Sequence, residues 1–112
     1  MKVDLIVESI AILLQAFPSL EDDFIISFIT GRPESIRKET EEWLEHNGIE
    51  YSELHMRKDK DFRKDSVYKQ EVFDKYFKDK RDILFAIEDR KQVVDMWRSN
   101  GIICLQCAEG EF

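Results

Sequence analysis

Residues 83–98 read Ile83-Leu84-Phe85-Ala86-Ile87-Glu88-Asp89-Arg90-Lys91-Gln92-Val93-Val94-Asp95-Met96-Trp97-Arg98. The unbroken apolar run, ending on two carboxylates, predicts a strand over Asp82–Ile87 that is buried on both faces. The period then changes: Val93, Val94 and Trp97 recur at helical spacing, and Gly101 closes that helix. Ile102 to Cys107 is apolar again and predicts a last strand. A strand, a helix and a strand in so short a span form a βαβ unit, whose strands are parallel and whose crossover is right-handed.

The same alternation extends upstream. Phe24-Ile25-Ile26-Ser27-Phe28-Ile29 predicts a strand buried on both faces, and Thr30-Gly31-Arg32-Pro33 a turn in which Pro33 opens a helix. That helix runs to about Asn47, buries Ile36, Trp43 and Leu44, and has Gly48 as its stop. Ile49 to Met56 predicts a strand, residues 57–64 a charged loop, and the next stretch a helix burying Val67, Val72, Phe73, Tyr76 and Phe77. Ahead of all this, Val3, Ile6, Val7, Ile10, Leu13, Leu14 and Phe17 predict a helix over residues 4–17, stopped by Pro18-Ser19. The order α-β-α-β-α-β-α-β predicts a single α/β domain over residues 1–112, a three-layer sandwich around a parallel sheet. It begins on a helix, which in an open parallel sheet should follow a strand that this sequence does not contain.

Seventeen Lys and Arg stand against 24 Asp and Glu, a net charge of −7, which excludes the broad basic face of a duplex DNA binder. Gly and Pro are too few for a fibrous or low-complexity chain, and aromatic and aliphatic residues too many for wholesale disorder. No apolar run reaches membrane-spanning length, so no membrane partner is expected, and Asp4 and Glu8 interrupt the first apolar stretch against a secretory signal. Two cysteines do not make a disulfide framework, so a reduced, cytoplasmic location is expected.

Chemistry in such a sheet gathers beyond the carboxyl ends of the strands. At one end, Gly31 lets the backbone approach an anion, Thr30 offers a hydroxyl and Arg32 a bidentate fork, a set suited to phosphate. The plain alternative is a turn whose Thr caps the helix. At another end, Glu88 and Asp89 repel each other unless a cation or proton sits between them, and oxygen ligands suit Mg²⁺; the alternative is that one of them caps the next helix. Lys69, beside a basic stretch diluted by Asp59, Asp61 and Asp65, reads on its own as a solvated helix lysine. Cys104 and Cys107, three apart on a strand, point to opposite faces and read as structural thiols.

Taken in order, the Thr30-Gly31-Arg32 turn, the stretch Arg63-Lys64-Asp65-Ser66-Val67-Tyr68-Lys69, the run Ala86 to Arg98 and the ending Gly110-Glu111-Phe112 resemble the haloacid dehalogenase (HAD) superfamily of phosphohydrolases. Within it they resemble the 3′-phosphatase domain of phage-type polynucleotide kinase, weakly before Phe24 and strongly after Arg81. The resemblance implies a Mg²⁺-dependent phosphohydrolase acting on a phosphorylated nucleotide or a nucleic-acid 3′ end. It implies that Thr30 bonds the transferring phosphoryl group, that Gly31 and Arg32 hold the substrate's phosphate end, and that Lys69 neutralises charge on the phosphoryl oxygens. Glu88 and Asp89 would hold Mg²⁺, Asp89 most directly, at positions where the family usually has two Asp.

The family's first motif is an apolar strand ending in Asp-x-Asp-Gly-Thr, whose first Asp attacks phosphorus. This sequence has none: Asp59-Lys60-Asp61 keeps the spacing, but Phe62 stands in place of Gly, in a charged loop. Without that Asp, covalent catalysis has no nucleophile. The second reading is therefore a non-catalytic phosphate- or partner-binding module, or half of a split enzyme that receives its first strand from a partner. A receiver domain would place its acidic pair first along the chain, whereas here Thr30 precedes Glu88.

Overall fold

The computed structural model of the protein describes residues 26–108. The helix expected over residues 4–17, its stop at Pro18-Ser19, the strand residues Phe24 and Ile25, and Gly110-Glu111-Phe112 lie outside them. The chain forms two compact units, divided after Asp61. The described elements are β1 (Ser27–Pro33), α1 (Arg37–His46), β2 (Glu53–Arg57), α2 (Asp65–Val72), β3 (Ala86–Glu88), α3 (Lys91–Ser99) and β4 (Cys104–Gln106). β1 pairs with β2 and β3 with β4, each pair parallel. The expected alternation and strand direction are both present.

In the first unit, β1 runs on through Thr30-Gly31-Arg32 to Pro33, where a turn was expected. The register passes from Thr30 opposite Met56 directly to Pro33 opposite Arg57, so Gly31 and Arg32 form a bulge. Pro33 is extended and opens a single 3₁₀ turn, Glu34–Ile36, so α1 starts only at Arg37. β1 is half-buried throughout rather than buried on both faces, because among the described residues its strand neighbour is β2 alone. Leu44 and Ile49 form the buried core, packed by Ile26, Phe28, Trp43, Tyr51 and Leu54. Of the side chains expected in the core of α1, Trp43 and Ile36 are half-buried; Thr40 is buried instead, its hydroxyl donating to the Ile36 carbonyl at 2.8 Å.

In the second unit, α3 carries Val93, Val94, Met96 and Trp97 into the core, and Phe73 meets Trp97 edge-on at 5.7 Å. β3 is shorter than the strand expected over 82–87. Ladder pairing starts only where Ala86 faces Cys104, and Leu84 is 60% exposed. β4 is likewise confined to Cys104–Gln106. Its alternation buries Cys104 and leaves Ile103 67% and Leu105 53% exposed. α2 buries Tyr68, Lys69 and Val72, then widens into a π turn over Phe73–Phe77 that Lys78 closes by donating to the Phe73 carbonyl at 2.8 Å. Phe73 and Phe77 are both buried, while Tyr76, like Val67, is exposed where the helical period placed it in the core.

α1 and α3 end on the same device. Asn47-Gly48-Ile49 and Asn100-Gly101-Ile102 follow them. Gly48 (φ 67°) and Gly101 (φ 77°) adopt the left-handed conformation. The glycine amides donate to Glu45 and Arg98, and the isoleucine amides to Leu44 and Trp97, all at 3.0 Å. Asn47 and Asn100 each also reach back to the carbonyl four residues earlier, both at 2.8 Å. This is a complete Schellman closure. A Cβ on Gly101 would meet nothing within 4 Å, so its cost is conformational alone. Gly101→Ala is expected to lower stability by about 1–2 kcal/mol, read as a lower urea midpoint with unchanged slope.

Candidate functional site

α2 turns the face of Asp65, Tyr68, Lys69 and Val72 inward. Lys69 is therefore carried inside, at 7% exposure, rather than lying on a solvated face. Its ammonium lies 2.9 Å from Glu88 Oε2, at the carboxyl end of β3, and 3.2 Å from Asp65 Oδ2, one helical turn back. Arg90 Nη1 approaches Asp65 at 3.7 Å from the half-exposed side. Burying an ion costs several kcal/mol, recovered only when its partners are well placed. Here the ammonium has two carboxylates, and Asp65 has two cations within 4 Å.

Glu88 divides its oxygens. Oε2 receives Lys69, and Oε1 accepts the backbone N–H groups of Asp89 (3.1 Å) and Arg90 (3.3 Å), just ahead of α3. The adjacent carboxylates are thus separated: Glu88 turns to the lysine, and Asp89 remains half-buried beside it. The Asp89 carbonyl accepts from Gln106 Nε2 at 3.2 Å, tying the strand end to β4. The Asp89 carboxylate accepts no hydrogen bond from a described residue. Neither acid caps α3, whose N-cap has no side-chain bond. Among the described residues no three His, Cys, Asp or Glu converge on a metal position. Mg²⁺ commonly takes one or two protein carboxylates and completes its shell with water and phosphate, so the donor set fits it through Asp89.

Burial, reinforced by the Glu88 charge, pushes the Cys104 thiol up to about 11, and burial with the Asp89 charge raises Cys107 as well. Both are free thiols, Cys104 buried and Cys107 half-buried.

In the first unit, the Thr30 hydroxyl accepts the Arg32 amide at 3.2 Å, closing the β1 bulge on itself instead of capping a helix. Arg32 Nε is buried without a hydrogen-bond partner among the described residues. Asp59 spends an oxygen on the Ser35 amide at 3.0 Å, and Lys60 has a positive φ, so Asp59-Lys60-Asp61 is a turn after β2. The structure thus brings together Lys69 and Glu88, with Asp89 adjacent, while Thr30, Gly31 and Arg32 belong to β1. Sequence reasoning missed Asp65; its signal was the i, i+4 spacing to Lys69 at a helix start.

The sequence profile of the family "Polynucleotide kinase PNKP phosphatase domain" matches residues 1–112. A relative from Autographa californica nuclear polyhedrosis virus, a putative bifunctional polynucleotide kinase/RNA ligase, is 34% identical over 77 residues, 68% of this chain and 11% of the relative. Two solved chains, from structures of the Pnkp1/Rnl/Hen1 complex and of the Pnkp1/Rnl/Hen1 RNA repair complex, superpose with TM-scores of 0.86 and 0.85 at 33% identity. Each match covers 93% of this chain, and 36% and 33% of those chains. The chain therefore spans about a ninth of the viral relative and about a third of the solved chains.

Lys69→Met leaves Asp65 and Glu88 as buried carboxylates without their shared cation. It is expected to cost about 3–5 kcal/mol, read by urea denaturation. The raised Cys104 thiol keeps its proton longer in the folded than in the unfolded chain. Stability it supports is whole below pH 9 and falls as pH rises toward 11. Cys104→Val should flatten that decline in urea midpoints measured from pH 8 to 11.

Proposed function

Because the chain belongs to the family of polynucleotide kinase phosphatase domains, of HAD type, we propose that it carries the second half of a Mg²⁺-dependent phosphohydrolase site for nucleotide or polynucleotide 3′-phosphate ends. The observation that carries this reading is the buried Lys69 ammonium paired with Glu88 at the end of β3, where Asp89 follows in the chain with a carboxylate that accepts no hydrogen bond from a described residue. Its full fold in this reading is one three-layer α/β domain over residues 1–112, completed by a strand this sequence does not contain.

Lys69 keeps an N–H beyond the two carboxylates for a phosphoryl oxygen. In this reading Thr30 donates its hydroxyl to the transferring group, and Arg32, with the close backbone approach at Gly31, holds the phosphate end. Asp89, with Glu88 at the same strand end, would hold Mg²⁺; when bound, the ion supplies the positive charge that a phosphoryl dianion needs. The attacking carboxylate and the general acid come from an Asp-x-Asp strand absent here. That absence also supports a second reading, a phosphate- or partner-binding module or half of a split enzyme. The solved chains it resembles belong to Pnkp1/Rnl/Hen1 assemblies, which supports a partner chain in this reading. The two free thiols suit a reduced, cytoplasmic setting.

The test is phosphate release from a 3′-phosphorylated oligonucleotide with and without Mg²⁺. The 112-residue chain is expected to give no turnover. A fusion placing a family member's Asp-x-Asp-Gly-Thr strand ahead of Met1 is expected to give Mg²⁺-dependent release, lost in Asp89→Asn. Turnover by the chain alone would overturn the missing-nucleophile assignment; a folded but inactive fusion would favour the binding-module reading.

A further inference from the structure

We infer that Phe62, with Lys64 beside it, is a stacking platform for an unpaired base, so that the chain takes a single strand or an overhang in preference to a mononucleotide or a blunt duplex. The inference rests on the reading just proposed and deepens it. Phe62 is 89% exposed, more than any other large apolar side chain among the described residues. The fold gains little from the ring, yet the ring is held in place. Arg63, the next residue, crosses to Glu71 of α2, with Nη1 2.6 Å from Oε2. The Lys64 carbonyl accepts the Val67 and Tyr68 amides at 3.0 and 3.1 Å and so starts α2. Phe62 therefore stands two residues before a closed helical turn, and little freedom remains to be lost when a ligand lies against it.

The charge along this stretch selects the ligand. Lys58, Lys60, Arg63 and Lys64 flank the ring in sequence, and all four are exposed. Two of the three acids that dilute the stretch are engaged elsewhere: Asp59 accepts the Ser35 amide at 3.0 Å, and Asp65 is buried against Lys69. A chain of net charge −7 thus keeps a local run of cations about one bare aromatic ring. A nucleic-acid strand answers both features at once, with a π face on every base and a negative charge on every phosphate. The spacing agrees. Phe62 lies three residues before Asp65, which bonds the Lys69 ammonium at 3.2 Å, so the Phe62 and Asp65 α-carbons are at most about 11 Å apart. With the phosphate end at Lys69, a base about three stacked nucleotides or fewer away reaches the ring. A base inside a duplex has both faces covered, so the platform serves an unpaired one.

The test measures binding rather than turnover. The probes are a short oligothymidylate with a 3′-phosphate and a 2-aminopurine near that end, the same strand with a 3′-hydroxyl, and thymidine 3′-monophosphate. Quenching of 2-aminopurine reports stacking, and competition gives the affinities. Phe62→Ala is expected to weaken the 3′-phosphorylated strand by about fivefold or more and to remove most of the quenching. Phe62→Trp should keep both within about twofold, while thymidine 3′-monophosphate, which has no neighbouring base, binds all variants alike. The urea midpoint of Phe62→Ala should not move, because the ring is exposed. Lys64→Gln should lower the salt slope of strand binding by about 0.7; an unchanged slope would overturn the part given to Lys64. Strand affinity unchanged in Phe62→Ala, or retained in full by the non-aromatic Phe62→Leu, would overturn the platform. So would an equal loss for strand and mononucleotide. Phe62-dependent binding that ignores the 3′-phosphate keeps the platform and sinks the 3′-phosphate reading. Tight mononucleotide binding with no gain from the longer strand does the reverse, and no binding of any probe overturns the platform.

Discussion

An ammonium can be buried only if the fold brings its counter-charges with it, and the second unit is organised around that demand. Lys69 is supplied by α2, Glu88 by β3 and Asp65 by the first turn of α2. Glu88 in turn fastens the amides that lead into α3. One cation thus fixes a helix, a strand end and the start of the next helix relative to each other. Val72, Phe73, Val93 and Trp97 of the same unit are buried as well. In water the same three charges would contribute little; inside, removing Lys69 leaves two carboxylates without their shared cation.

A second tie joins α2 and α3. Gln70 and Asn100 exchange amide hydrogen bonds, 3.2 Å and 2.7 Å, and Gln92 accepts the Ser66 amide at 3.3 Å. Asn100 also belongs to the closure that ends α3. The residue that terminates one helix therefore also anchors it to its neighbour, so local chain reversal and tertiary packing favour the same conformation.

Much of this was legible in the sequence because it rests on periodicity and on a few punctuating residues. Val93, Val94 and Trp97 announced the core face of α3, and Gly48 and Gly101 the ends of two helices. What was not legible depends on pairing partners that no local pattern contains. The run Ile83-Leu84-Phe85 has strand composition, yet the ladder begins at Ala86 because β4 begins at Cys104. Thr30 to Pro33 has turn composition, yet continues a strand because β2 extends alongside it and a bulge absorbs Gly31 and Arg32. At the site, the acidic pair and Lys69 were visible as residues, but a helix lysine looks solvated until the phase of its helix is known. Asp65 became visible only as its partner.

The π turn at Phe73–Phe77 bears on how such chains vary in length. With one residue fewer between Phe73 and Phe77, an ordinary α-helix would still hold both rings inward, now at i and i+3. The widened turn falls on the exposed Asp74, Lys75 and Tyr76. This is a point where insertion and deletion are nearly interchangeable. A gap opened here when chains of this kind are aligned would mark a change of helical pitch, with the core on either side left in register.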